Sequence, residues 1–398
     1  MTADADNGAD VVSVTEAASI LGVKPSTVYA YISRGLLNRK KLPHDRRSWL
    51  SKAEIEEFGK RKGLRTVAPP AESVPAGQST GVAHIVEDRL RYRGRDATEL
   101  AATESFESVA GLLWRDRAAT GRNWVLEREL VENIHCVQAA MPPSSLPLDR
   151  LKVTAMLLGA TDPLRYDLSV PSVLAAARRL APAFVESLPA RAEVPPSSPI
   201  ADRLWSRLSR RHPGPAEIRL LSAALVLLAD HGLGPSTRAV REAAATAADP
   251  YSAVLAGMSV ASGLLLGGGS SLAVQSWLAD IGSPASVPEV LGQRLLRGDR
   301  LSGFGQPRYR GADPRAATLL DMLTRADADA NRLAIVRTAV ELVRERRELE
   351  PNIEFALGAL CFAHGLDYGA GEAIFVVGRT TGWIAHAVEV YEECFTPG

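Results

Sequence analysis

The sequence is short of the residues that would place it in several protein classes. Three cysteines in 398 residues, Cys136, Cys361 and Cys394, are an odd number set far apart and without metal-ligand spacing. They support neither a disulfide framework nor a zinc site, and no metal site is expected. A reducing, cytoplasmic setting follows as an expectation. No apolar run is long enough for a membrane span: residues 251–266 fall short of the roughly 20 needed, and Ser252, Ser259 and Ser262 interrupt them. Residues 1–10 carry Asp4, Asp6 and Asp10 and no apolar core, so they read as a disordered tail and not a secretory signal. Aromatics make up only 6% of the chain, and alternating β-branched runs are scarce.

Alanine and leucine take up the difference. With 46% apolar residues and a mean hydropathy of −0.02, the chain can bury a sizeable core, and its composition favours helices. Its length exceeds what one core supports, so two or three domains are expected. The zero net charge hides an asymmetry. Residues 11–65 hold 12 Lys/Arg against 5 Asp/Glu, a net of +7, while residues 1–10 carry −3 and residues 66–398 carry −4. A basic head on an acidic body points to a polyanionic partner for the head alone.

Residues 66–80, TVAPPAESVPAGQST, have three prolines and no periodic apolar face, so they read as a linker that spans about 20 Å as a flexible coil. Beyond it, long Ala/Leu segments alternate with Pro/Gly breaks, the most marked at 187–202 and 292–313. Residues 219–233 are apolar around nearly the whole circumference, as expected of a helix buried on all sides. Residues 251–265 are studded with small residues that allow close helix packing.

In the head, the pattern predicts a helix over 14–21 entered through Thr15, a turn at Leu21-Gly22-Val23, and a second helix from Pro25 to Gly35. A hairpin wing is expected over 39–49. Ser51 and Glu54 read as a capping box opening a third helix to Lys62. This pattern, SVTEAASILGVKPSTVYAYISRGLL followed by RRSWLSKAEIEEF, resembles the excisionase and MerR-type winged helix-turn-helix modules. The resemblance implies DNA as partner. Ser26, Thr27, Tyr29, Tyr31 and Arg34 would face the major groove, with Lys40, Lys41, Arg46 and Arg47 on phosphates.

The body carries LRYRGRDATEL, PPSSLPLDRLKVTAMLLGATDP, LVLLADHGLGPSTRAVR, GFGQPRYRGADPRA, PNIEFALGAL and GRTTGWIAHAVE, in that order from residue 81 almost to the C-terminus. These motifs resemble those of citrate and 2-methylcitrate synthases. The resemblance implies a mainly α protein: a winged helix-turn-helix over 11–65, a linker over 66–80, and a citrate synthase-like all-α body over 81–398. That body has a large domain and a small one at roughly 267–365. It also implies a homodimer and, with no resident cofactor, condensation of acyl-CoA with oxaloacetate.

That condensation needs a base for a weakly acidic methyl proton, a donor for the enol oxygen and an acid at the ketone. Where the family places a histidine in GPLHGG, this chain has Leu266, which can neither donate nor carry a proton. Where it writes GFGH, the chain has Gln306, whose amide can hydrogen-bond a ketone but cannot protonate it. The aspartate of the PN-(V/I)-D motif becomes Glu354, still a base but longer by one methylene. The carboxylate-binding pattern persists in His231, Arg315 and Arg379, which match the positions that hold oxaloacetate; each would otherwise be a fold-supporting cap or ion pair. An arginine-rich C-terminal tail is replaced by CFTPG. His135, His364 and His386 have no motif partners and read as satisfied structural histidines.

Three readings follow: a catalytically impaired regulator that binds DNA through its head and senses a dicarboxylate or acyl-CoA through its body; an active synthase with an accessory head; or a pseudoenzyme that dimerises or partners an active synthase.

Overall fold

The computed structural model describes residues 11–21, 25–33, 36–40, 48–62, 80–116, 124–263, 268–299 and 301–395. The chain divides into two compact units, one made of the head with residues 291–301 and the other of the rest of the body.

The head begins with β1 (Val11–Ser13), α1 (Val14–Leu21) and α2 (Pro25–Ser33), followed by β2 (Trp49–Ser51) and α3 (Lys52–Lys62). Strands β1 and β2 pair antiparallel. The expected wing is present at its base, where Lys40 and Trp49 exchange backbone hydrogen bonds at 2.8 and 3.4 Å. Its tip, with Lys41, Arg46 and Arg47, lies outside the described residues, as does Arg34. A small core of Val14, Ala17, Ala18, Leu21, Val28, Leu37, Leu50, Ile55 and Phe58 holds the three helices together.

Two expected caps are corrected. The first helix is entered through Ser13, not Thr15: the Ser13 hydroxyl accepts from Glu16 N, and Glu16 Oε2 accepts from Ser13 N at 2.8 Å. Glu54, taken as the partner of Ser51, instead accepts from the backbone and side chain of Asn38 at 3.0 and 2.9 Å, tying the loop after α2 to α3.

The body opens with a feature the sparse β-branched pattern did not signal, a meander of β3 (Ala83–Val86), β4 (Arg89–Tyr92) and β5 (Arg95–Asp96). Its two-residue turns, Glu87-Asp88 and Arg93-Gly94, have positive φ throughout, the twist that matches tight hairpins. Helices follow in order: α4 (Ala97–Thr103), α5 (Phe106–Trp114), α6 (Arg128–Ala139), α7 (Pro147–Thr161), α8 (Val170–Glu186), α9 (Ile200–Leu208), α10 (Pro215–Leu228), α11 (Pro235–Ala245), α12 (Pro250–Ala261), α13 (Gly268–Ala279), α14 (Val287–Arg297), α15 (Pro314–Arg325), α16 (Ala330–Arg347), α17 (Ile353–Ala363) and α18 (Ala370–Phe395). Several start at a first-turn proline, whose fixed φ suits a helix and whose missing N–H would have been unpaired there.

Helix α18 is the axis of the body, buried from Ala370 to Val388 and packed against α5, α7, α8, α10, α11, α12 and α13. Helix α10, expected to be buried on all sides, packs across it. The two backbones come close because Gly378 and Gly382 face α10. A Cβ at Gly378 would sit 2.8 Å from Leu225 O, and one at Gly382 2.3 Å from Ala229 O. Tyr92 of β4 covers the C-terminal end of α10, its hydroxyl 2.9 Å from Val226 O and 3.1 Å from Asp230 O. Among the described residues, no helix is long and apolar enough to cross a membrane.

Candidate functional site

Past the end of α10 the chain turns sharply through Asp230-His231-Gly232. Gly232 takes φ +65°, and its N–H donates to Asp230 Oδ1 at 2.6 Å. This turn brings His231 to a partly open cavity of about 50 Å³, whose lining includes His231, Gln306, Arg315, Glu354, Phe375 and Arg379. Five of the six body residues singled out from the sequence therefore converge. The sixth, Leu266, lies outside the described residues.

Two loops bring Gln306 and Glu354 together. Asn352 caps α17 by accepting from Phe355 N at 3.2 Å, and its own amide donates to Gly305 O at 2.9 Å. Asn352 N and Gly305 N complete the stitch, donating to Gly303 O and Glu350 O. The motif segments 303–306 and 351–354 thus form one hydrogen-bonded unit. Gly303, at φ +92°, packs where a Cβ would meet Phe355 at 2.8 Å.

The two arginines are held differently. Arg315 is fully buried and grips Asp313 with two parallel hydrogen bonds, Nε to Oδ1 at 3.0 Å and Nη2 to Oδ2 at 2.8 Å. Burial opposes its charge, but Asp313 keeps the guanidinium more firmly protonated than usual. Asp313 also caps α15 and accepts from Ile353 N at 3.2 Å, so this pair locks the two halves of the site. Arg379, on α18, donates through Nε to Leu228 O at 2.6 Å and lies over the Phe375 ring at 4.9 Å. Burial pushes its pKa down, countered by the charges of Asp230 and Glu354. Both arginines thus make fold-supporting contacts and also line the cavity.

His231 Nε2 lies 3.0 Å from the hydroxyl of Tyr309, and Arg308 donates to the His231 carbonyl. Burial, then the charges of Arg315, Arg308 and Arg379, hold the imidazole well below its ordinary pKa, so it is neutral at pH 7. Beneath it, Asp230 is fully buried and meets His386 Nε2 at 3.1 Å. Burial would raise the Asp230 carboxyl, yet His386 leads the interactions that lower it. Sequence reasoning missed Tyr309, Asp313 and Asp230 as parts of the site. The one available signal was adjacency to motif residues, Asp230 beside His231 and Asp313 two before Arg315.

Among the unmatched histidines, His386 is satisfied as expected. His364 corrects that reading: it is buried against Trp205, neither ring nitrogen has a hydrogen-bond partner, and desolvation pushes its pKa down to about 4. His135 is exposed, 3.5 Å from Glu186. In the head, Tyr29 is 54% exposed, whereas Tyr31 packs on the core with its ring 5.0 Å from Phe58, so its ring is engaged in packing and not held out toward a groove. Lys40 is exposed; the side chains of Ser26 and Thr27 lie outside the described set.

The likeness to known proteins concerns the family and the fold. Residues 71–394 match the family model described as citrate synthase, C-terminal domain. The chain belongs to the citrate synthase family. Residues 11–62 match a helix-turn-helix domain. Among relatives, the 2-methylcitrate synthase of Mycobacterium tuberculosis is 30% identical over 78% of this chain and 84% of its own. Citrate synthase 2 of Bacillus subtilis is 27% identical over 79% of this chain and 90% of its own. Citrate synthase from Thermotoga maritima superposes with a TM-score of 0.66 at 23% identity, over 83% of this chain and 94% of that one. The Thermoplasma acidophilum enzyme, solved with carboxymethyl coenzyme A and oxaloacetate, gives 0.66 at 22%, over 85% and 94%. These likenesses support the citrate synthase fold.

Proposed function

We propose that this citrate synthase-family chain is a DNA-binding regulator, impaired in condensation chemistry, whose body responds to an oxaloacetate- or citrate-like dicarboxylate or to acyl-CoA. The observation that carries the reading is the joint lining of one cavity by His231, Arg315, Arg379, Gln306 and Glu354. Two buried arginines and a neutral imidazole suit a small dianion. The proton chemistry is weaker. Gln306 has no proton to give, Leu266 supplies no donor, and Glu354 is the sole base among the three family positions. Losing an oxyanion donor costs about 10² to 10³ in rate and losing a general acid about 10² to 10⁴.

The head's charge, its helix-turn-helix and the exposed Tyr29 support DNA as partner, and the family likeness supports a homodimer that presents two heads to a two-fold site. A cytoplasmic setting fits both partners. The test is binding of the full chain to duplexes selected from a randomised pool, with and without oxaloacetate, beside a chain starting at Gly77. The reading expects DNA affinity to vanish without the head and to change several-fold with oxaloacetate. Affinity that survives truncation, or that ignores oxaloacetate, citrate and acetyl-CoA alike, contradicts it. The alternative, an active synthase with an accessory head, is favoured by one observation: Glu354 lines the cavity together with Arg315 and Arg379, as a working base would.

A further inference from the structure

A line of polar contacts runs from Asp230, the residue next to cavity-lining His231, to the root of the linker. The charge of Asp230 acts on Arg379. Asp230 Oδ2 meets His386 Nε2 at 3.1 Å, and both side chains are fully buried. On its far side, His386 Nδ1 lies 3.4 Å from Thr80 Oγ1 and 4.0 Å from Glu389 Oε2. The Thr80 hydroxyl donates to Glu389 at 2.8 Å, Gly81 N donates to the other Glu389 oxygen at 2.8 Å, and Val82 N donates to Thr80 Oγ1 at 3.1 Å.

The Thr80 hydrogen goes to Glu389, and an ionised Asp230 accepts from His386 Nε2. The ring thus lies between two carboxylates, Asp230 beside the cavity and Glu389 at the linker root, and Arg241 also donates to Glu389. Thr80 closes the proline-rich stretch that leads to the head.

We infer that Asp230, His386, Glu389 and Thr80 are positioning residues that couple occupancy of the cavity to the anchoring of the linker at Thr80 and Gly81. The inference rests on the dicarboxylate reading above. A dianion seated between Arg315 and Arg379 competes with Asp230 for the field of Arg379. Asp230 then depends more on His386, and the pull passes to Glu389 and the two residues it holds. The anchor is the two-state element that such coupling requires: Gly81 N is either held by Glu389 or released to water.

The experiment is amide hydrogen exchange at Gly81 in the full chain, with and without saturating oxaloacetate, alongside thermal melting. Wild type and Thr80→Val are compared; the substitution keeps the shape and removes the hydroxyl that joins His386 to Glu389. Oxaloacetate should raise the midpoint of both proteins. It should slow Gly81 exchange about ten-fold in wild type, within the roughly 5- to 150-fold range of allosteric couplings, and less than about two-fold in Thr80→Val. Equal slowing in the two proteins, or no slowing in wild type although its midpoint rises, overturns the coupling and leaves the ligand reading standing. An unchanged midpoint in wild type removes the dicarboxylate reading and the coupling with it. Glu389→Gln, which keeps an acceptor but no charge, should weaken the effect as Thr80→Val does; if it leaves the ten-fold slowing intact, the line does not run through Glu389.

Discussion

Gly382 of α18 faces Asp230 so closely that a Cβ at position 382 would sit 2.3 Å from Asp230 Oδ2 and 2.3 Å from Ala229 O. A methyl there cannot be absorbed by a rotamer change, because one of the two atoms is backbone. Gly382→Ala should therefore cost about 1–3 kcal/mol or more as overpacking forces α18 away from α10. Urea denaturation measures it, and a Thr381→Ala control on the same helix should cost less.

Arg315 is the structural lock of the site as well as a ligand candidate. Arg315→Ala leaves Asp313 buried without its partner, which should cost about 3–5 kcal/mol, whereas Arg379→Met, which leaves no charge without its counter-ion as close as Asp313 is to Arg315, should cost less. Both should abolish the rise in melting temperature given by oxaloacetate, a rise equivalent to about 2.7 kcal/mol at a hundred times Kd. Calorimetric melts of the three proteins decide it; an undiminished rise in Arg379→Met would remove that arginine from the ligand set.

Two buried groups should shape stability against pH with opposite signs. Burial, with the charge of Asp149, pushes Glu372 up to about 7. Its folded pKa lies above the unfolded value, so the native state holds the proton more tightly, and stability is lost as pH rises from about 4.5 through about 7. His364, pushed down to about 4 by burial, behaves in reverse: stability is lost as pH falls below the unfolded value of about 6.5. The two windows, about pH 4.5 to 7 for Glu372 and about 4 to 6.5 for His364, overlap and oppose each other, so between about pH 5 and 6.5 denaturation midpoints should rise more steeply with pH in Glu372→Gln and fall with pH in His364→Leu, relative to wild type.

In the head, Arg46→Ala/Arg47→Ala should make the salt dependence of DNA binding shallower by about 0.9 for each phosphate that the wing no longer neutralises. Tyr29→Ala should weaken binding, while Tyr31→Phe, a change within the head's core, should leave it near wild type. An unchanged salt slope in the double variant would show that the wing does not touch phosphates.

Much of this molecule was legible in its sequence because helices announce themselves through spacing and punctuation. Pro25, Pro215, Pro235, Pro250 and Pro314 all stand at helix starts, and the apolar stretch around Leu220–Leu228 is the buried helix it resembles. The meander was not legible: its strands are two to four residues long, and its turns rest on Glu87, Asp88 and Arg93 at positive φ, which composition does not announce. At the site, five residues singled out by motif line one cavity. Asp313 and Tyr309 did not stand out, because their roles arise from long-range contacts to α17 and to His231. Likewise Glu54 fits a capping box by spacing, and tertiary contact with Asn38 overrides it.

The central claim, a family site turned from condensation to sensing, is tested most directly by the release of free CoA from acetyl-CoA and oxaloacetate. The account predicts a rate near background for the natural chain and a clear gain for Leu266→His/Gln306→His/Glu354→Asp, which restores the acid, the donor and the shorter base. Turnover of the natural chain at ~1 to 10³ s⁻¹, the range of ordinary enzymes, would contradict it.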